Sequence, residues 1–300
     1  MNRLDLSART VLLTGATGGL GKALAAALAA RGARLALLDL DLGAVRAQAA
    51  LLGNASEAHG WAADVRSYES LREAIDDAAR HFGGIDVAIA NAGIDTMAPM
   101  ALLEPAAFDR VIDVNLNGVW RTFRAALPHV EARQGHLLAI SSLAAFAHSP
   151  LQASYTASKA GVWAMCNSIR LEVKHLGVTV GSVHPTFFRT PLLDEAIADP
   201  AGRTLWRGNR GGLFATVAIE RVVRDIVHAI EQRRAQTVIP SRMAPVAWLP
   251  GVFRRLFDLL AFPPEVVRRS IELSSPAGWN DDAAVARQTP PLPPSDGGRK

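Results

Sequence analysis

Short apolar runs alternate along the chain with longer stretches whose apolar positions recur every three or four residues. Thr10 to Thr14 precedes Leu20 to Arg31, and Arg34 to Leu38 precedes Leu42 to Leu52. A short continuous apolar run fits a strand buried on both faces, and the longer spacing fits an amphipathic helix. Further strands are expected at Gly60 to Ala63, Val87 to Ala90, His136 to Ser141, Thr179 to His184 and Gln236 to Ile239. Helices are expected at Ser67 to Phe82, Pro105 to Ala132, Ser154 to Leu176 and Ile219 to Gln232. Alternation of this kind predicts an α/β fold built of βαβ units: a doubly wound parallel sheet, the Rossmann arrangement, in one domain spanning residues 1–240.

Two regions break the rhythm. Residues 186–217 form a long connection carrying Pro191, Pro200 and several glycines, and long connections tend to be functional. Residues 241–287 read as an apolar and basic C-terminal helical extension, and residues 288–300 as a tail too rich in proline and glycine to fold alone.

Composition narrows the function classes. The chain has 300 residues, 49% hydrophobic and 20% charged, with a net charge of +4. Residues 1–181 hold 16 basic and 16 acidic side chains, so the whole surplus falls in residues 182–300, where 16 basic face 12 acidic. The basic residues form no dense cluster, and no nucleic-acid partner is expected. One cysteine, Cys166, allows no internal disulfide, and Met1 to Asp5 leads into no apolar signal stretch, so a cytoplasmic protein is expected. Arg254, Arg255 and Asp258 interrupt the most apolar late segment, which excludes a membrane-spanning helix there. No metal site is expected.

Thr14-Gly15-Ala16-Thr17-Gly18-Gly19-Leu20-Gly21 follows the first strand and opens the first helix. Glycines at such a turn let the backbone approach a pyrophosphate, whose charge is stabilised at the helix N-terminus. Asp39 ends the second strand, where a carboxylate accepts hydrogen bonds from ribose hydroxyls and repels a 2′-phosphate. No Arg or Lys stands in the Gly15 to Gly21 turn or beside Asp39, so NAD is expected in preference to NADP. The alternative is that Asp39 merely ends the strand and caps the next helix, a task open to Asp41 as well.

Tyr155-Thr156-Ala157-Ser158-Lys159 places a tyrosine and a lysine one helical turn apart. A free phenol is a poor base at neutral pH, and a nearby ammonium favours its phenolate. The chain has only four lysines against 28 arginines, which makes a lysine here informative. The pair also fits a solvated helix face. Ser142, at the end of the preceding strand, offers a hydroxyl to orient a substrate oxygen and stabilise charge on it.

With these motifs in order, the sequence resembles the short-chain dehydrogenase/reductase family, specifically its shorter type. The resemblance covers about residues 8–240 and rests on Thr14-Gly15-x-x-x-Gly19-x-Gly21, Asp64-Val65, Asn91-Ala92-Gly93, Asn115, Ser142, Tyr155 with Lys159, and Pro185 leading to Thr190. It implies a catalytic tetrad of Asn115, Ser142, Tyr155 and Lys159. Tyr155 would be the general acid/base and Ser142 the holder of the substrate oxygen. Lys159 would bind the nicotinamide ribose and perturb Tyr155, and Asn115 would hold a water that relays protons through Lys159. The resemblance also implies cofactor contacts from Thr14, Gly15, Thr17, Gly19, Leu20, Gly21, Asp39, Asp64, Val65, Asn91, Ala92, Gly93, Tyr155, Lys159, Pro185 and Thr190, and assembly as a homodimer or homotetramer. Where the family usually has Pro-Gly after the sixth strand, this chain has Pro185-Thr186, and a threonine restricts the backbone there.

On the substrate side, Ser142, Phe146, His148, Phe187, Phe188 and Trp206 are expected to form an apolar pocket for a bulky secondary alcohol or ketone, with Leu192, Leu193 and Leu205 nearby. Arg203, Arg207 and Arg210 fit either an anionic substrate group or a solvated face. The segment Val252 to Phe262 leaves a wide apolar face that needs burial against its own domain, a second subunit or a membrane surface, and residues 242–269 carry arginines suited to anionic lipid. The expected function is hydride transfer between NAD and a carbinol or carbonyl carbon. The alternative is a non-catalytic nucleotide-binding sensor or scaffold.

Overall fold

A computed structural model describes residues 3–209, 211–252 and 260–275, except the side chains of Leu192 and Leu213. Arg210, Arg254, Arg255, Asp258 and the tail 288–300 therefore lie outside the described residues.

Seven parallel strands form one sheet in the order β3-β2-β1-β4-β5-β6-β7. They are β1 (Thr10–Thr14), β2 (Arg34–Asp39), β3 (Ala58–Ala62), β4 (Val87–Ala90), β5 (His136–Ile140), β6 (Thr179–Pro185) and β7 (Gln236–Ile239). Side-chain alternation sorts the apolar runs into two cores. Val11, Leu13, Leu35 and Leu37 face one layer, made by α1 (Gly19–Ala29), α2 (Leu42–Leu52) and α9 (Ile219–Glu231). Leu12, Ala36 and Leu38 face the other, made by α3 (Tyr68–Phe82), α5 (Gly118–Glu131) and α6 (Ala153–Glu172). The doubly wound fold expected from the pattern is the one observed. The third strand starts two residues earlier and ends one residue earlier than the apolar run at Gly60 to Ala63 suggested.

Local chemistry sets the boundaries. Asp41 caps α2, its carboxylate accepting from Ala44 N–H at 3.0 Å, so capping needs nothing from Asp39. Ser67 caps α3 in the same way, and Gly83, in the left-handed conformation at φ +75°, ends it. The expected single helix from Pro105 to Ala132 is interrupted. α4 (Pro105–Ile112) passes through a π-helical turn, Asp113–Asn117, before α5 begins. The wider turn rotates Asn115 inward, where it is fully buried.

The strand order reverses beside β1, opening a crevice between the carboxyl ends of β1 and β4. Residues 186–217 fold over its far side as α7 (Pro191–Ala198), α8 (Pro200–Leu205) and short 3-10 turns. Past β7, α10 (Ala244–Trp248) buries Val246 and Ala247 against Leu143, Phe146 and Val238. α11 (Pro264–Ser274) packs on α8, with Ala261, Phe262, Val267 and Ile271 joining Leu205, Trp206 and Phe214. No described helix is long and apolar enough to cross a membrane.

Candidate active site

A cavity of about 760 Å³ runs along the crevice from the Gly15–Gly21 turn to Trp206 and Phe262. At its first end the backbone leaves no room for side chains. A Cβ on Gly21 would stand 2.2 Å from Gly15 O, and one on Gly15, at φ +64°, would stand 2.7 Å from Ala92 Cα. Gly18, at the N-cap of α1, brings no side chain to its first N–H groups, and no acid stands in the first turn. An uncapped helix start lined by glycine and followed by Lys22 suits a diphosphate.

Thr14 and Asn91 build this turn from behind. Thr14 Oγ1 accepts from Asn91 N–H at 3.1 Å, and Asn91 Nδ2 donates to Thr14 O and Gly15 O at 3.0 and 2.9 Å. Asn91 reaches the cavity wall, whereas Thr14 does not. Asp39 Oδ2 accepts from Thr17 N–H at 2.8 Å and Thr17 Oγ1 at 2.7 Å, and Oδ1 accepts from Leu40 N–H at 2.8 Å. Farther along, Asp64 is gripped by Arg66, whose Nη2 donates at 2.7 Å, and this pairing holds the Asp64 carboxyl below its usual range. The glycine cradle, the fixed Asp39 and the walls at Val65, Ala92 and Gly93 fit a dinucleotide.

Ser142, Tyr155 and Lys159 meet at the middle of the cavity. Ser142 leaves β5 and turns into a 3-10 helix, its Oγ accepting from Ala144 N–H at 3.1 Å. Beneath it lies buried His184, with Nδ1 at 3.3 Å from Ser142 O and Nε2 at 2.9 Å from Ser182 Oγ. Lys159 lies 5.5 Å from the centroid of the Tyr155 ring, and its Nζ donates to Ile140 O at 3.0 Å. Burial lowers Lys159 to about 8, against the pull of Asp95. The same two causes, burial first and Asp95 second, raise Tyr155, while the Ser142 hydroxyl works the other way. Burial thus raises the phenol, whereas a lysine one turn away favours the phenolate.

Asn115 stands behind this wall and not in it. Its Oδ1 accepts from Ile94 N–H and its Nδ2 donates to Ile94 O, both at 2.8 Å, with Ser158 Oγ a further acceptor at 3.2 Å. The side chain therefore pins the loop after β4.

The apolar end departs from expectation at two positions. Phe187, Phe188 and Trp206 line the cavity, Phe187 lying 5.2 Å from Trp206 and 6.1 Å from Phe214 between ring centroids. Phe146 does not. The 3-10 turn Leu143–Ala145 presents Ala144, Ala147 and Ser149 to the cavity and drives Phe146 inward, between Trp163 at 5.1 Å and His184 at 4.8 Å. His148 is exposed and away from the cavity wall. Arg203 and Arg207 are also exposed and do not reach it. Pro185 and Thr190 line the cavity, and Thr190 caps α7. Thr186 sits in ordinary negative-φ backbone with its N–H on Ile239 O at 2.8 Å, so Pro-Thr distorts nothing. Two residues not singled out from the sequence complete the site: Asp95, just past Gly93, and Gln152, which donates to it. The signal for Asp95 was its place at the carboxyl end of β4.

Residues 9–201 match the family model described as short chain dehydrogenase. The chain belongs to that family. D-threitol dehydrogenase of Mycolicibacterium smegmatis is 34% identical over 212 residues, 70% of this chain and 82% of that protein. The 2-dehydro-3-deoxy-L-rhamnonate dehydrogenase (NAD(+)) of a Sphingomonas species is 34% identical over 189 residues, 62% of this chain and 75% of its own. Among solved structures, a short-chain type dehydrogenase/reductase from Mycobacterium marinum is similar at a TM-score of 0.70 and 26% identity, covering 78% of this chain and 95% of that one. This short chain dehydrogenase is accordingly an oxidoreductase with the fold that its apolar pattern predicts.

Proposed function

We propose that the protein oxidises a bulky hydrophobic secondary alcohol with NAD, or reduces the corresponding ketone. The observation that carries this reading is one continuous cavity that runs from the glycine turn and Asp39, past Ser142, Tyr155 and Lys159 at its middle, to Phe187, Phe188 and Trp206. Bound NAD would supply the hydride acceptor. The Gly15–Gly21 turn binds its diphosphate, Asp39 its adenosine ribose, and Asp64 and Val65 the adenine side. Ser142 Oγ orients the substrate oxygen, and Tyr155 Oη takes the hydroxyl proton in oxidation or gives it in reduction. Lys159 holds the nicotinamide ribose and supplies charge beside the phenol, and Asn115 is a positioning residue for the β4 loop. An intact acid/base set favours an enzyme over a sensor or scaffold.

Asp39 supports NAD over NADP, because Thr17 fixes its charge where a 2′-phosphate would have to lie. Lys22 and Arg66 also line the cavity, Arg66 paired with Asp64, so the preference for NAD rests on Asp39. Asp39→Ala is expected to lower kcat/KM for NAD about tenfold and raise it for NADP, as one charge-assisted contact is lost and one repulsion removed. Steady-state kinetics with both cofactors reads this, and a wild type that prefers NADPH overturns it.

We also propose a cytoplasmic homodimer or homotetramer with peripheral lipid contact. Trp120 on α5 and Leu171 on α6 stand 49% and 70% exposed, apolar surface suited to a second subunit. Trp248, Leu249 and Val252 point outward while the inner side of α10 packs on its own domain, with exposed Arg242 close in sequence. Sedimentation is expected to give a dimer or tetramer, and flotation a low-salt association with anionic vesicles; a monomer, or no flotation, removes the corresponding reading.

A further inference from the structure

Asp95 is an acid in the cavity for which the reaction outlined above has no use. It follows the Asn91–Gly93 segment and lines the cavity with Ser142, Gln152 and Tyr155. Both carboxylate oxygens are fixed. Thr96 N–H donates to Oδ1 at 2.7 Å, and Gln152 Nε2 donates to Oδ2. Gln152 is itself 6% exposed and stands at the N-cap of α6, three residues before Tyr155, so the acid is held by the helix that carries the phenol. The backbone of the preceding residue, Ile94, is gripped from the other side by Asn115.

This acid is under-satisfied. A carboxylate offers about four lone-pair sites, and two donors occupy two of them. Among the described residues no cation lies within ion-pair distance of it. Lys159, the cation that acts on it through space, gives its hydrogen bond to Ile140 O. Burial raises the Asp95 pKa, which is the cost of a charge with too few partners. A ligand that donates a hydrogen bond here relieves that cost, whereas a ligand carboxylate adds to it. The same cavity carries the apolar Phe187, Phe188 and Trp206, and Arg110 lines it too, bordering Asp95 again with Glu104 and Thr96 in a second cavity.

Resting on the oxidoreductase reading, we propose that Asp95, held in place by Gln152, is a specificity residue that selects a substrate carrying a second hydroxyl near the carbinol being oxidised, and rejects one carrying a carboxylate there. Tyr155 and Ser142 engage the reacting oxygen, and Asp95 accepts from the second hydroxyl. The substrate class is thereby narrowed from hydrophobic alcohols in general to diols on an apolar frame.

The test keeps one ring and changes one substituent: cyclohexanol, the 1,2- and 1,3-cyclohexanediols, and 2-hydroxycyclohexanecarboxylate, each with NAD and the full chain. Wild type is expected to show kcat/KM for its best diol ten- to hundredfold above cyclohexanol, the value of one hydrogen bond to a charged group, with the hydroxy acid the poorest. Asp95→Asn keeps the shape but turns an amide against one of the two donors. It is expected to bring the diol-to-cyclohexanol ratio near one and to narrow the penalty on the hydroxy acid. Gln152→Met leaves the carboxylate but frees it, and gives a ratio between the two. A wild type that treats diol and cyclohexanol alike, or a ratio unchanged in Asp95→Asn, overturns the proposal. Turnover of none of these compounds counts against the oxidoreductase reading alone, because binding reads Asp95 separately. With NADH present, a diol is expected to raise the wild-type melting temperature more than cyclohexanol does, and to lose that advantage in Asp95→Asn. Equal shifts in both proteins overturn the assignment of Asp95.

Discussion

Tyr155→Phe is expected to lower kcat by about 10²- to 10⁴-fold in either direction, the usual contribution of a positioned acid/base. The substitution removes only the hydroxyl; the ring 5.5 Å from Lys159 Nζ stays. Ser142 Oγ is a far weaker acid, and Lys159 Nζ donates to Ile140 O with its other donors free for the nicotinamide ribose. The sign of the pH dependence follows from the site. Burial and Asp95 keep the proton on Tyr155, and burial brings Lys159 down to about 8. Oxidation needs the phenolate, so its kcat/KM should climb from pH 7 to 9. Reduction needs the phenol, which burial keeps protonated over that range, and should stay flat. The climb should vanish in the phenylalanine protein. Initial rates with cyclohexanol and cyclohexanone across that range measure all of this. A variant retaining wild-type kcat refutes the role of Tyr155, and a wild type that binds NAD yet turns over no alcohol favours the sensor or scaffold.

The sheet was legible in the sequence because its strands are covered on both faces. Thr10–Thr14 and Val87–Ala90 are buried throughout and therefore read as unbroken apolar runs. The glycine turn was legible because Gly15 and Gly21 meet backbone at distances no Cβ tolerates. What escaped depends on contacts between distant residues. The π-helical turn at Asp113–Asn117 brings Asn115 to Ile94, 21 residues away, and nothing in a continuous helical pattern announces it. Phe146 is apolar whether it faces cavity or core, and a single 3-10 turn sends it to the core. Asp95 would pass for a solvated loop acid until Gln152, 57 residues on, closes over it. The direction of the Tyr155 shift escaped for a related reason: spacing reveals a lysine one turn away, but burial is a property of the assembled crevice.

Stability is expected to fall by about 4 kcal/mol between pH 8 and pH 5, and two histidines account for it. His136 and His184 are fully buried. Burial, joined by Arg233, lowers His136 to about 3. Burial likewise lowers His184 to about 4, against the Ser142 carbonyl that favours its charged form. Each ring is neutral in the folded chain and takes a proton near pH 6.5 once unfolded. The unfolded state therefore binds more protons at acid pH, and the stability these rings contribute is complete above about 6.5 and lost as pH falls towards their folded values. One ring kept neutral where its unfolded counterpart is charged costs about 1.4 kcal/mol per pH unit, or about 2 kcal/mol by pH 5. Partly exposed His59 shifts in the same direction, and Asp95, raised by burial, opposes the loss at the acid end. Urea unfolding at pH 8 and pH 5 measures the difference. His136→Gln and His184→Gln, which hydrogen-bond without titrating, should each remove about half of it whatever they do to stability at pH 8. A difference below about 1 kcal/mol in the wild type, or one that both variants keep in full, would show that these rings find their protons without unfolding.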